Sequence, residues 1–128
     1  MATEGNKTTQ SLVAAADYSA AANLGKIVKI DTAAAEQAVL VSVLGARADG
    51  ILMNKPTLGQ PCELVTEGYG KAQCGAAIAT AGLELTPDAT GRLITAVSTN
   101  MVFAISRGST AAAGEFVGLS IVGPYPKP

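Results

Sequence analysis

The side chains able to do chemistry in this sequence are two cysteines, ten carboxylates and a set of serine, threonine and tyrosine hydroxyls; histidine is absent. Without histidine the chain lacks the commonest general base, the Ser-His-Asp and Cys-His arrangements, and the commonest transition-metal ligand. Cys62 and Cys74 allow three chemical readings: a disulfide, a redox pair or half of a metal site. Their spacing fits no zinc pattern, and no further ligand types cluster beside them. Free cysteine is among the most buried residue types, so the expectation is two core thiols. The carboxylates of Asp31, Glu36, Asp49, Glu63, Glu67, Glu84, Asp88 and Glu115 are spread over turns and strand faces rather than grouped as in a calcium loop. Two of them could converge from distant positions as a glycosidase pair, but nothing in the sequence favours it. The segment 45–50, GARADG, has the glycine spacing of a phosphate loop, yet Ile51 and Leu52 stand where lysine and a hydroxyl residue would hold phosphate and magnesium. Gly68 and Gly70 lack the third glycine of a dinucleotide fingerprint, because Gln73 occupies its place. The expectation is a binding module with no catalytic, cofactor-binding or metal-binding residue.

The elements that must position any binding residues are short. From Lys26 onward, β-type runs alternate with Gly, Pro, Asn and Asp, which argues for a compact antiparallel sheet or barrel. Strands are expected over 26–30, 38–43, 50–53, 62–65, 69–74, 83–86, 92–96, 101–106 and 115–122. A three-residue loop at 66–68, with Gly68 supplying positive φ, suggests a hairpin that sets Glu63 opposite Lys71 and Leu64 opposite Gly70. That register puts Cys62, Leu64, Ala72 and Cys74 on one face and Glu63, Lys71 and Gln73 on the other. It leaves the two cysteines roughly 7 to 8 Å apart on a diagonal, too far for an unstrained bridge. A second hairpin is expected from 83–86 through the turn at 87–91 to 92–95. The small, polar run at 107–114 reads as a mobile contact loop.

Three segments follow: an arm over 1–25, the β domain over 26–122 and a tail over 123–128. The arm has no period of two, and a short helix over 12–22 competes with the extended reading because the run is rich in alanine. The three prolines of the tail, lacking N–H groups, are expected to take it out of the sheet. Apolar residues in these segments, Leu12, Val13 and Tyr18 in the arm and Pro124, Tyr125 and Pro126 in the tail, are the candidate contacts with a partner or a second subunit. The competing reading is that they fold back on their own domain as a lid.

At 128 residues, 48% of them apolar and 15% charged, the chain suits one folded domain. Its apolar residues are mostly Ala, Val, Ile and Leu, with two Phe, three Tyr and no Trp, so the core is thin and oligomerisation or docking would supplement it. The net charge is −1 and the nine Lys and Arg are scattered, which gives no stripe for a nucleic-acid backbone. No apolar run approaches the ~18 residues that cross a bilayer, and the polar start reads as no signal peptide, so a cytoplasmic origin is expected.

The order of segments resembles the capsid decoration, or cement, proteins of tailed phages. The residues that carry the resemblance are DYSA at 17–20, GKIVKI at 25–30, GILMNKP at 50–56, GQPCELVTEG at 59–68, GAAIATAG at 75–82, DATGR at 88–92 and AAAGEFVGL at 111–119. The resemblance implies an all-β fold, a small antiparallel β-barrel or tulip-like domain. It also implies binding to the outer surface of an assembled major capsid protein, often as a trimer, which stabilises the head. Such a protein would be located on the virion. The rival readings are another virion structural role, such as a head-fibre base or a tail component, and a small carbohydrate-binding or hydrolytic domain.

Overall fold

The computed structural model describes residues 12–32 and 35–128. Among them the chain forms ten strands: β1 (Val13–Ala14), β2 (Ile27–Ile30), β3 (Gln37–Leu40), β4 (Gly50–Leu52), β5 (Leu64–Val65), β6 (Gly68–Gln73), β7 (Glu84–Pro87), β8 (Leu93–Thr95), β9 (Met101–Ser106) and β10 (Phe116–Pro126). The helical content is a 3-10 turn over Ala21–Asn23. Five strands make a first sheet in the order β1-β3-β2-β4-β5, and five make a second in the order β6-β10-β9-β7-β8. Pairing is antiparallel except between β1 and β3. The fold is the expected all-β, small barrel-like domain. All nine expected strands form, with ends shifted by a few residues, and the added one is β1.

The core lies in two layers because successive side chains on a strand face opposite ways. Ile27, Ile51 and Val65 point into the space between the sheets, where they meet Ala72, Leu85, Leu93, Phe103, Val117 and Leu119. Their neighbours Val28, Leu52 and Leu64 point to the other side of the first sheet, against Ala14, Tyr18, Ala38 and Cys62. The first sheet is therefore apolar on both faces; it curls until β1 at its edge bridges Pro61 through Val13, so that residues 12–18 and the loop that ends at Cys62 cover its outer face. Fully burying a Val or Leu contributes about 1.5–3 kcal/mol. Three such side chains approach the whole net stability of a small domain, so this cover is structural.

Two expectations need correction. The hairpin through 66–68 does not form, because this segment carries the chain from one sheet to the other. β5 pairs with β4 (Ile51↔Val65, Leu52↔Leu64), whereas β6 pairs with β10 along six residues, with Lys71 opposite Gly118 and Gly70 opposite Leu119. Gly68 does adopt positive φ, at 83°. A left-handed glycine fixes the local bend but not the partner of the strand after it, and the long β10 offers a longer ladder than the two-residue β5. Glu63 and Lys71 are consequently not cross-strand partners, and Cys62 and Cys74 belong to separate clusters. Gln73 is buried rather than solvent-facing, with its amide donating to the carbonyls of Ala22 (2.6 Å) and Leu24 (2.7 Å).

The tail is the second correction: residues 123–126 stay in the sheet as the end of β10, with Tyr125 opposite Val102 and Pro126 opposite Met101. The prolines stand at alternate positions, 124, 126 and 128. The residues between them keep their N–H groups toward β9, and Lys127 donates to Asn100 O and accepts from Thr99 N–H. β6 pairs with β10 only as far as Ile121, so the side of the strand lacking donors has no ladder to complete. At the register shift, a Cβ on Gly123 would collide with the Val102 carbonyl, so the position requires glycine.

The second expected hairpin forms as read, with Leu85↔Thr95, Thr86↔Ile94 and Pro87↔Leu93. Asp88 Oδ1 closes its turn by accepting from the N–H groups of Thr90 (2.8 Å) and Arg92 (3.0 Å) and from the Thr90 hydroxyl (2.7 Å).

Candidate binding surface

The six residues expected to make contacts lie on two different sheets. In the arm, Leu12 and Val13 are half-buried and Tyr18 is buried. Val13 N–H donates to Glu36 O, Ala15 N–H to Ala38 O, and Cys62 N–H to Leu12 O, so the backbone is tied on both sides. The Tyr18 hydroxyl accepts from Leu40 N–H at 3.2 Å. Residues 12–25 are extended, apart from the 3-10 turn, but lie on their own domain in the manner of a lid. No helix spans 12–22. Residues 1–11 lie outside the described residues.

At the other end, Pro124 and Pro126 are exposed and Tyr125 is half-buried. The Tyr125 hydroxyl donates to Glu84 Oε2 (2.6 Å) and Lys127 Nζ to Glu84 Oε1 (2.5 Å). Hydrogen bonds from Lys127 and Tyr125 hold the Glu84 carboxyl below its usual value, and the bond to Glu84 raises the Tyr125 phenol above its own. Glu84 thus clasps the chain end to β7.

Several other candidates have structural partners. Cys62 and Cys74 are buried free thiols, as expected. Burial pushes the Cys62 thiol up, which lowers its reactivity. Cys74 Sγ lies 3.2 Å from Thr110 Oγ1 and 3.3 Å from Ala112 O, which anchors the 107–114 loop to β6. Glu115 Oε1 accepts from Ala111 N–H in that loop. Asp49 pairs with Arg47 (3.0 Å) and accepts from Ile30 N–H (2.8 Å). The glycine-spaced segment 45–50 is a turn between strands, with Gly45 bonded to Pro87 O and Met101 N–H.

Two surfaces were not visible in the sequence. Val43, Leu44 and Val97 are exposed by 59%, 53% and 61%, in two loops that Gly45 and Asn100 hold side by side at one end of the domain. Clustered exposed apolar side chains mark contact sites more often than isolated ones do. The second is a groove of about 440 Å3 lined by Met53, Tyr69, Gly70, Lys71, Arg107, Gly118 and Leu119. The Arg107 guanidinium lies 4.1 Å from the centre of the Tyr69 ring, a cation–π contact. The sequence signal was the alternation of Tyr69 and Lys71 with glycine. Their meeting with Arg107 depends on β6 and β9 flanking β10, which local pattern does not specify.

The architecture is similar to that of a phage head-fibre base. The match is to the crystal structure of the head fiber gp8.5 N base in bacteriophage phi29, with a TM-score of 0.68 and 14% identity, covering 90% of this chain and 93% of that one. At that identity the likeness is one of fold. No protein-family model matches the sequence, and no curated protein matches it.

Proposed function

We propose that this chain is a structural protein of a phage virion, and that it attaches to the outside of the head as the base of a head-fibre-type appendage. The observation that carries the proposal is the similarity of fold to the head-fibre base over nearly the full length of both chains. Fold alone does not fix function, so the assignment also draws on what the surface offers. Its carboxylates and thiols mostly serve the domain itself, whereas Val43, Leu44 and Val97 and the groove beside Tyr69 are exposed and unused. Such a surface suits binding rather than catalysis.

The decoration reading places the protein on the same face of the head, with the major capsid protein as partner in both cases. The fold comparison favours the head-fibre role. Attachment as a homotrimer is part of the proposal, because the apolar end at Val43, Leu44 and Val97 calls for cover and several weak contacts on a lattice reinforce each other. Sedimentation of the purified protein with DNA-filled heads tests the attachment. Co-sedimentation that saturates at a fixed number of copies per head is expected; no association at saturating protein would remove the proposal. A solution mass of one chain at every concentration would remove the trimer.

A further inference from the structure

We propose that the free edge of β6 at Tyr69–Lys71 is a docking site for an extended acidic segment of another polypeptide, which adds to the second sheet as a further strand. The hydrogen-bond alternation identifies this edge. Arg107 N–H donates to Gly118 O at 2.7 Å, so Gly118 and Ser120 turn their backbone groups toward β9, while Val117, Leu119 and Ile121 turn theirs toward β6. Their partners Ala72, Gly70 and Gly68 complete that ladder. Tyr69, Lys71 and Gln73 therefore direct their N–H and C=O groups away from the sheet.

Gln73 N–H is met by Gly25 O at 2.9 Å, which closes the edge at that end. At Tyr69 and Lys71 no described residue bonds the backbone, and the groove opens there. An exposed edge with unmet backbone groups is a template for strand addition.

The side chains around the edge specify what an added strand would carry. Tyr69 and Lys71 are exposed, and Arg107 lies over the Tyr69 ring. Neither Lys71 nor Arg107 is within ion-pair distance of a carboxylate among the described residues. A Cβ at Gly118 would meet nothing within 4 Å, so the floor between the cations is open. On its other side the groove is lined by the partly buried, apolar Met53, with Leu119 fully buried in the core beneath. An added strand thus meets cations with one set of alternate side chains and apolar groups with the other, the pattern of carboxylates alternating with small apolar residues. The identification of that polypeptide as a head subunit rests on the function proposed above; the strand-addition site itself does not.

The probe is a capped hexapeptide of alternating valine and glutamate, titrated into the 15N-labelled protein, with the valine–lysine hexapeptide as control. Saturable amide shifts centred on Tyr69 and Lys71, weakened by salt and absent with the control, are expected. Lys71→Glu with Arg107→Glu should weaken binding roughly ten-fold or more. Lys71→Pro should block it while leaving the fold intact, because the Lys71 N–H takes no part in the β10 ladder. Binding unaffected by the charge reversal, equal binding of the control, or shifts centred elsewhere would overturn the site. Heads provide the separate arm. If wild type and charge-reversed proteins co-sediment with heads equally, the edge is not the head contact although the virion reading stands. If wild type fails to bind heads but still takes the peptide as described, the virion reading falls and the edge site survives.

Discussion

Glu84 holds the end of the chain through two different donors, and this gives the clasp a pH window. Its carboxyl is held below the usual 4.5 by Lys127 and Tyr125, so its contribution is complete above that value and is lost as pH falls through the lowered folded value. The Tyr125 phenol is raised above 10.0, so its contribution is complete below that value and is lost as pH rises through the raised folded value. Wild type should therefore exceed Glu84→Gln in stability between these limits and converge on it below pH 4.5, as followed by thermal melting across pH. A constant difference down to strongly acidic pH would contradict the clasp. On the first sheet, Tyr18→Ala should cost about 3 kcal/mol through the cavity left against Leu52 and Leu64. Tyr18→Phe should cost only about 1 kcal/mol, for the lost acceptor of Leu40 N–H. Urea unfolding of the two variants measures the difference.

At the scale of elements, the arm is the first sheet's cover. Deleting residues 1–18 removes β1 and Tyr18 and exposes Val28, Leu52 and Leu64 on the outer face. The truncated protein should bind a hydrophobic dye and melt well below the full chain, whereas an arm that served only as an external anchor would leave melting unchanged. The positions of the strands were legible because glycine, proline, asparagine and aspartate punctuate nearly every run, and Asp88 to Gly91 specified a hairpin completely. Partner choice was less legible. Gly68 reports a bend whether the chain returns to its own sheet or crosses to another, so the 62–74 hairpin was misread. The prolines at 124, 126 and 128 remove three donors, but their alternation keeps every loss on one side of β10. A signal for the covered outer face was present in the adjacent apolar pairs Ile27-Val28, Ile51-Leu52 and Leu64-Val65, which no half-exposed strand needs. The contacts that Leu12, Val13, Tyr18 and Tyr125 make within their own domain depend on strands distant in the sequence, which local pattern does not specify. The groove required three strands to be ordered in space before Arg107 could reach Tyr69.

For the whole molecule, a thin aliphatic core is stabilised by layering: two sheets enclose one cluster, and the arm encloses a second against the outside of the first sheet. Among the groups this arrangement leaves outward are the apolar side chains of Val43, Leu44 and Val97 and the cations beside Tyr69. Those exposed groups suit the proposed attachment to a larger particle. In the proposed role this particle is a phage virion and the protein sits on its head. Cryo-electron microscopy of intact virions, with density fitted by this domain, measures that most directly. The domain is expected at regular positions on the outer surface of the head. Its location in the tail, or its absence from the particle, would contradict the proposed role.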